Sequence, residues 1–289
     1  MKKVFIRLLP VVVALALAGC GDDGASGPII TDPVTPAATA TPEPVTPSID
    51  PVVPIVDDSL PPREGMKRSR LTNEWVDADV ASTRPIAVMT PNEVSAIPHY
   101  NLSLASVIYE AKVEGNMTRM LAIYEDWEDL EKIGNIRSLR SYFAYWAFEW
   151  DAYIVHFGGP YFINELTEAP TTQNVNGNLG SDDAAFFRTP DRVSPHNAYA
   201  VGSGLAAVID NKGYSRYYRD LVDDNHFQFA AKASPNTLSQ YETAARNATY
   251  IDMSGSYPLT RCYFEYNEED GLYYRSQHLS GSTDGPHID

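Results

Sequence analysis

Ten of the 21 prolines crowd between residues 21 and 63, in repeated Thr-Pro and Val-Pro steps with few aromatic residues. A tract of this kind cannot bury enough apolar surface to offset the entropy of ordering it, and it prefers extended, polyproline-like backbone. Any packed core is therefore confined to the chain that follows. At no more than about 3.1 Å per residue, the tract is a semi-rigid spacer reaching on the order of 100 Å when stretched.

Just ahead of it, Leu17-Ala18-Gly19-Cys20 reads as a bacterial lipobox closing a signal peptide. Lys2, Lys3 and Arg7 form its basic start, and Leu8 to Leu17 an apolar run too short for a permanent span. The expected layout is a leader over 1–19 and a disordered Pro/Thr-rich tether over 20–63, lipidated at Cys20. Two or three acyl chains hold a protein at a membrane where one does so only marginally. The expected location is the extracytoplasmic face of a cell membrane, on a lipid anchor.

Loss of the leader leaves 19 of the 22 basic residues against 38 acidic ones, a mature charge of about −19. A body this acidic is repelled by nucleic acid, so no nucleic-acid partner is expected. With Cys20 lipidated, Cys262 has no disulfide partner, and its alternating apolar surroundings make it a small buried residue.

Downstream, the pattern predicts an α/β (α+β) body. A mixed sheet with flanking helices spans about 84–225, and a smaller, mostly antiparallel β unit spans 226–289. Pro85–Met89 reads as a buried strand. Val107–Glu114 alternates, Gly115-Asn116 is a two-residue hairpin signal, and Met117–Tyr124 returns. That register sets Arg119 opposite Lys112 and diagonal to Glu110 and Glu114. Ile136, Leu139, Phe143, Trp146 and Trp150 recur at helical spacing, predicting a helix over 135–150 with Asn135 as its cap. A second helix is expected over 197–211, stopped by Gly213.

The chemistry-bearing residues follow from these elements. Arg137 and Arg140 fall in the first turns of the predicted 135–150 helix, against its partial positive charge. Either a bound anion relieves that conflict or carboxylates of the fold do, with Glu110 and Glu114 as acid/base or ion-pair partners. His156 ends a strand before Gly158-Gly159, where ligands gather in open α/β sheets. His196 precedes a helix start, with Arg188 and Arg192 just upstream. The expected ligand site is thus Arg119, Arg137, Arg140, Arg188, Arg192, His156 and His196. His156, His196, His287 and Asp289 are metal-ligand types, but no close H-x-x-x-H or C-x-x-C spacing occurs. No metal centre and no cofactor are expected. Nucleophile-elbow, phosphate-loop and dinucleotide fingerprints are absent from the sequence.

Several segments in order carry a resemblance: Arg84-Pro85-Ile86-Ala87-Val88-Met89, Tyr109-Glu110-Ala111, Val113-Glu114-Gly115, Thr118-Arg119, Ile136-Arg137-Ser138, His156-Phe157-Gly158-Gly159, Pro195-His196-Asn197 and Gly285-Pro286-His287-Ile288-Asp289. Together they resemble the YerB-like bacterial lipoproteins, a family built on a domain of unknown function, over about 84–289. The resemblance implies an envelope lipoprotein with a two-part domain and a further strand past Asp289 that would make this chain's C-terminal unit a shortened one. A fainter, fold-level likeness links Arg119, Arg137 and Arg140 to the LytR-CpsA-Psr ligases, which hold a polyprenyl pyrophosphate with arginines. The leading expectation is a cell-envelope lipoprotein that binds an anionic cell-wall or lipid-linked glycan component through an Arg/His pocket. The alternatives are a scaffold acting through an envelope protein partner, and a phosphotransferase or hydrolase acting on lipid-linked phosphates.

Overall fold

The computed structural model describes residues 64–221, 226–230, 239–241, 243–278 and the backbone of 284–286. The leader, the tether, Cys20, His287 and Asp289 lie outside these residues. In chain order the elements are β1 (Met66–Arg68), β2 (Trp75–Asp77), α1 (Ala78–Ser82), β3 (Ile86–Pro91), β4 (Val107–Lys112), β5 (Thr118–Tyr124), β6 (Ile133–Gly134), α2 (Ser141–Phe148) and β7 (Tyr153–His156). Then come α3 (Asn164–Glu168), β8 (Asn174–Asn176), β9 (Phe186–Arg188), β10 (Ala198–Ala200), α4 (Gly202–Asn211), β11 (Tyr250–Asp252), β12 (Cys262–Asn267), β13 (Leu272–His278) and β14 (Asp284–Pro286). The hairpin β1–β2 and α1 lie upstream of Arg84.

The central sheet has the order β4-β5-β3-β7-β8 and is mixed. Its β4, β5 and β3 are antiparallel neighbours, whereas β7 runs parallel to both β3 and β8. Because side chains alternate along a strand, β3 feeds two cores. Ile86 and Val88 pack with Tyr153, Val155 and the Leu205, Val208 and Ile209 face of α4. Ala87 and Met89 pack with Leu121, Ile154 and the Phe143, Ala144 and Ala147 face of α2. Burial on both faces explains why β3 reads as a continuous apolar run. This is the expected α+β class. A three-stranded sheet β6-β10-β9 and an antiparallel four-stranded sheet β11-β12-β13-β14 complete the described chain. Cys262 is buried, as its setting implied.

The predicted helix over 135–150 is wrong at its start: α2 begins only at Ser141. Residues 136–139 are extended and wedge between β3 and β7 where those strands part. Arg137 donates its N–H to Met89 O at 2.8 Å, Phe157 donates to Arg137 O at 3.0 Å, and Leu139 donates to Gly158 O at 3.0 Å. Ile136 joins the α4-side core and Leu139 the α2-side core. Residues three apart share a helix face but lie on opposite faces of a strand, so the same apolar pair satisfies both patterns. The sheet's open hydrogen-bonding groups decide for the strand. Likewise, the 197–211 helix starts at Gly202, because residues 198–200 pair with β6 and β9 instead. Gly213 does stop it, at φ +66°.

Gly202 sits where α4 meets the 127–130 loop. A Cβ there would fall on the backbone carbonyl oxygens of Trp127 and Glu128. Gly202→Ala is expected to destabilise the fold by about 1–3 kcal/mol or more through this overlap, read as a lower urea midpoint with an unchanged m-value.

Candidate functional site

The hairpin joining β4 and β5 sets the first arginine. Its turn is a three-residue one, Glu114–Asn116, with Gly115 and Asn116 both at positive φ and Val113 N–H bonded to Met117 O at 2.8 Å. The register is therefore Ala111↔Arg119 and Lys112↔Thr118, one residue off the Lys112↔Arg119 pairing that a two-residue turn predicts. A slip of one moves every side chain to the other face. Arg119 consequently lies on the α2 face and Glu110 on the opposite one.

Glu110 is thereby removed from the arginines it was expected to serve. It accepts Arg275 Nη2 at 2.8 Å, Arg275 Nε at 3.1 Å and Asn92 Nδ2 at 2.8 Å, tying β4 to β13. Glu114 behaves as expected of an ion-pair partner: Arg140 Nε and Nη2 each reach it at 2.7 Å. The Arg140 hydrogen bonds hold the Glu114 carboxyl down at about 2. Arg140 is the N-cap residue of α2, so the helix-end conflict exists for it alone, and Glu114 relieves it. Arg137 is not on a helix at all.

Arg137 occupies the wedge between β3 and β7, at their C-terminal ends. Its Nε is buried without a hydrogen-bond partner among the described residues. Burial lowers its pKa; Glu93 acts to raise it, and Arg140 and Arg188 lower it further. Arg119, 4% exposed, gives one hydrogen bond to the Ser138 carbonyl. Burial first, then Arg140 and Arg137, push its pKa down to about 10. His196 faces the same group. Burial lowers its pKa, with Glu93 raising it and Arg137, Arg192 and Arg119 lowering it. Its Nε2 lies 3.3 Å from Ser95 Oγ and 3.5 Å from Glu93 Oε1. Arg188 is exposed, stacks 4.5 Å over the Phe157 ring and donates to Asn197 Oδ1 at 2.8 Å.

Two expected members are engaged elsewhere. His156 is 1% exposed, its Nδ1 2.8 Å from Gly158 O and its Nε2 3.2 Å from Asn174 Oδ1. It is a core histidine closed off from ligand, and burial lowers its pKa. Arg192 clasps the 96–98 loop, donating to Ala96 O and Pro98 O at 2.7 Å each. It frames the site from behind. The site that remains is Arg119, Arg137, Arg188 and His196, with Arg140 at its edge; Glu93 acts on Arg119, Arg137 and His196, and Glu114 acts on Arg119 as well. Glu93 and Ser95 were missed in sequence because they sit in a loop with no periodicity; their place just past β3 is the signal that would have found them. Among the described residues no group of three His, Cys, Asp or Glu side chains could hold a metal ion. The geometry can bind an anion: guanidinium donors crowd together with their own charges mutually unfavourable.

Residues 71–215 match the family model described as "Protein of unknown function (DUF3048) N-terminal domain", a span that contains every residue of this cluster. "Putative lipoprotein YerB" of Bacillus subtilis (strain 168) is 31% identical over 157 residues, 54% of this chain and 47% of that protein. The chain thus spans about half the length of this curated relative. The crystal structure of YerB from Bacillus subtilis matches with a TM-score of 0.60 at 26% identity, covering 74% of this chain and 67% of that one.

Proposed function

Since this chain belongs to the family of the DUF3048 N-terminal domain, we infer that it is a cell-envelope lipoprotein that binds an anionic cell-wall or lipid-linked glycan component between β3 and β7. The anchor is the lipid on Cys20, which holds the body on the extracytoplasmic face of the membrane. The lipobox and the lipoprotein name of the Bacillus relative support it.

The observation that carries the binding reading is the Arg137 guanidinium: partly buried, its Nε without a partner, and crowded by Arg119, Arg140 and Arg188. A phosphate or carboxylate there accepts charge-assisted hydrogen bonds and cancels the repulsion. Such bonds contribute about 1.5–3 kcal/mol each. Arg137→Ala is therefore expected to weaken binding of inorganic pyrophosphate and of glycan-phosphate wall fragments at least about tenfold in calorimetry, with the melting temperature held. Arg192→Ala is expected to act through the loop it clasps, and so to lower stability together with affinity. Unchanged affinity in Arg137→Ala would remove the anion site.

A phosphotransferase or hydrolase reading rests on one observation, the His196–Ser95 hydrogen bond beside the arginines. It requires turnover of a lipid-linked phosphate that His196→Ala abolishes. The scaffold reading draws on the Arg140–Glu114 pair, whose charges are satisfied within the protein.

A further inference from the structure

Away from the arginine cluster, two adjoining clefts open beside the β1–β2 hairpin and α1. One, of about 400 Å³, is walled by Trp75, Val76, Val80 and Leu104. The other, of about 190 Å³, runs past Asp79, Glu128 and Asp129. Val80, Glu125 and Asp126 line both.

Glu125 distinguishes these clefts from an ordinary acidic surface. It is 6% exposed, and its Oε1 is buried with no hydrogen-bond partner. The nearby Ser69 hydroxyl accepts the N–H groups of Leu71 and Thr72 at 3.0 Å each and acts to lower the Glu125 pKa. Among the described residues no cation is one of the groups acting on Glu125. Burial pushes its pKa up, and the neighbouring Asp126 pushes it further the same way. The basic residue in the wall, Arg216, is engaged by Glu128 at 2.8 Å. Arg70 is drawn over the ring of Tyr218, 4.3 Å away. A buried carboxylate oxygen without a donor is unfavourable, and Glu125 lines both clefts beside further acids.

We propose that these clefts form a binding site for an organic cation, a primary amine on a short apolar stem, with the ammonium donating to Glu125 Oε1 and Asp126 and the stem lying along Trp75, Val80 and Leu104. Such a ligand supplies the missing donor, answers the surplus of acids and uses the apolar wall. A divalent metal suits the clefts less well: no three ligating side chains converge among the described residues, and the Trp75 wall offers a metal no ligand atom.

The test uses the full chain in detergent, titrated calorimetrically with 1,5-diaminopentane, with 1,5-pentanediol as the neutral isostere and with calcium chloride. Expected results are saturable binding of the diamine and none of the diol. Glu125→Gln should weaken the diamine at least tenfold while melting at or above the parent temperature, because the change removes a buried charge. Leu104→Trp, at a half-exposed wall position that tolerates bulk, should weaken it by narrowing the cleft with every acid left in place. Arg137→Ala, in the arginine cluster, should leave diamine affinity unchanged. Equal binding of diamine and diol, full affinity in Glu125→Gln, or calcium displacing the diamine at micromolar concentration would each overturn the proposal.

Discussion

Cys20→Ala is expected to abolish acylation outright. Cells fed an alkyne analogue of palmitate should label the parent protein and give no label on the variant, which keeps residues 1–19 because the cut before a modified cysteine cannot be made. The effect is all-or-none because alanine has no sulfur to take up the lipid; once attached, two chains together fix a protein that one chain leaves in exchange. A companion variant, with residues 1–20 replaced by a leader that ends without cysteine, is expected in the aqueous fraction. Label on Cys20→Ala, or a companion that still pellets with membranes after a high-salt wash, would remove the anchor from the functional reading.

The largest expected loss of stability is at Asp151. It is 2% exposed and sits at φ +51° in the turn between α2 and β7. Its Oδ1 is 3.1 Å from Arg84 Nη2 and 2.7 Å from Arg219 Nε, and its Oδ2 accepts the Arg219 N–H at 2.8 Å. Arg84 is fully buried, stacked 4.1 Å over the Tyr153 ring, with Nε on the Asp151 carbonyl at 2.6 Å. Removing the carboxylate strands a buried guanidinium. Asp151→Ala is expected to cost about 3–5 kcal/mol, measured by urea denaturation. Asp151→Asn separates charge from backbone, since asparagine tolerates the left-handed conformation that alanine resists. Its loss should be smaller but well above the error. Arg84→Met combined with Asp151→Asn should recover part of the deficit, because the stranded charge is then gone. A loss below about 1 kcal/mol in Asp151→Ala would show that the network is solvated rather than enclosed.

Arg84 opens the segment Arg84-Pro85-Ile86-Ala87-Val88-Met89 that carried part of the family resemblance, yet its partner could not be read from sequence. Asp151 is 67 residues away and joins it only because β7 runs parallel to β3. The same limit explains the arginine cluster. Arg119, Arg137, Arg188 and His196 were expected in one ligand site, together with Arg140, Arg192 and His156. Their convergence depends on residues 136–139 entering the gap between β3 and β7, which sequence periodicity assigned to a helix. Glu110 went astray for a smaller reason, a hairpin turn of three residues in place of two.

Composition and local pattern by themselves determined a great deal. They set the acidic balance, the proline tract over 21–63 and, as strands, the segments 85–89, 107–114 and 117–124, each within two residues of its observed bounds; the leader and its cysteine are expectations of the same kind. These depend on neighbours in sequence, and local sterics and side-chain alternation act over a few residues. Tertiary structure alone decided which acid meets which base, which histidine is sealed in, and whether Ile136 and Leu139 share a face. The last of these turns on hydrogen-bonding groups left open where β3 and β7 part, and a segment that satisfies them is more stable there than the local helical preference it replaces.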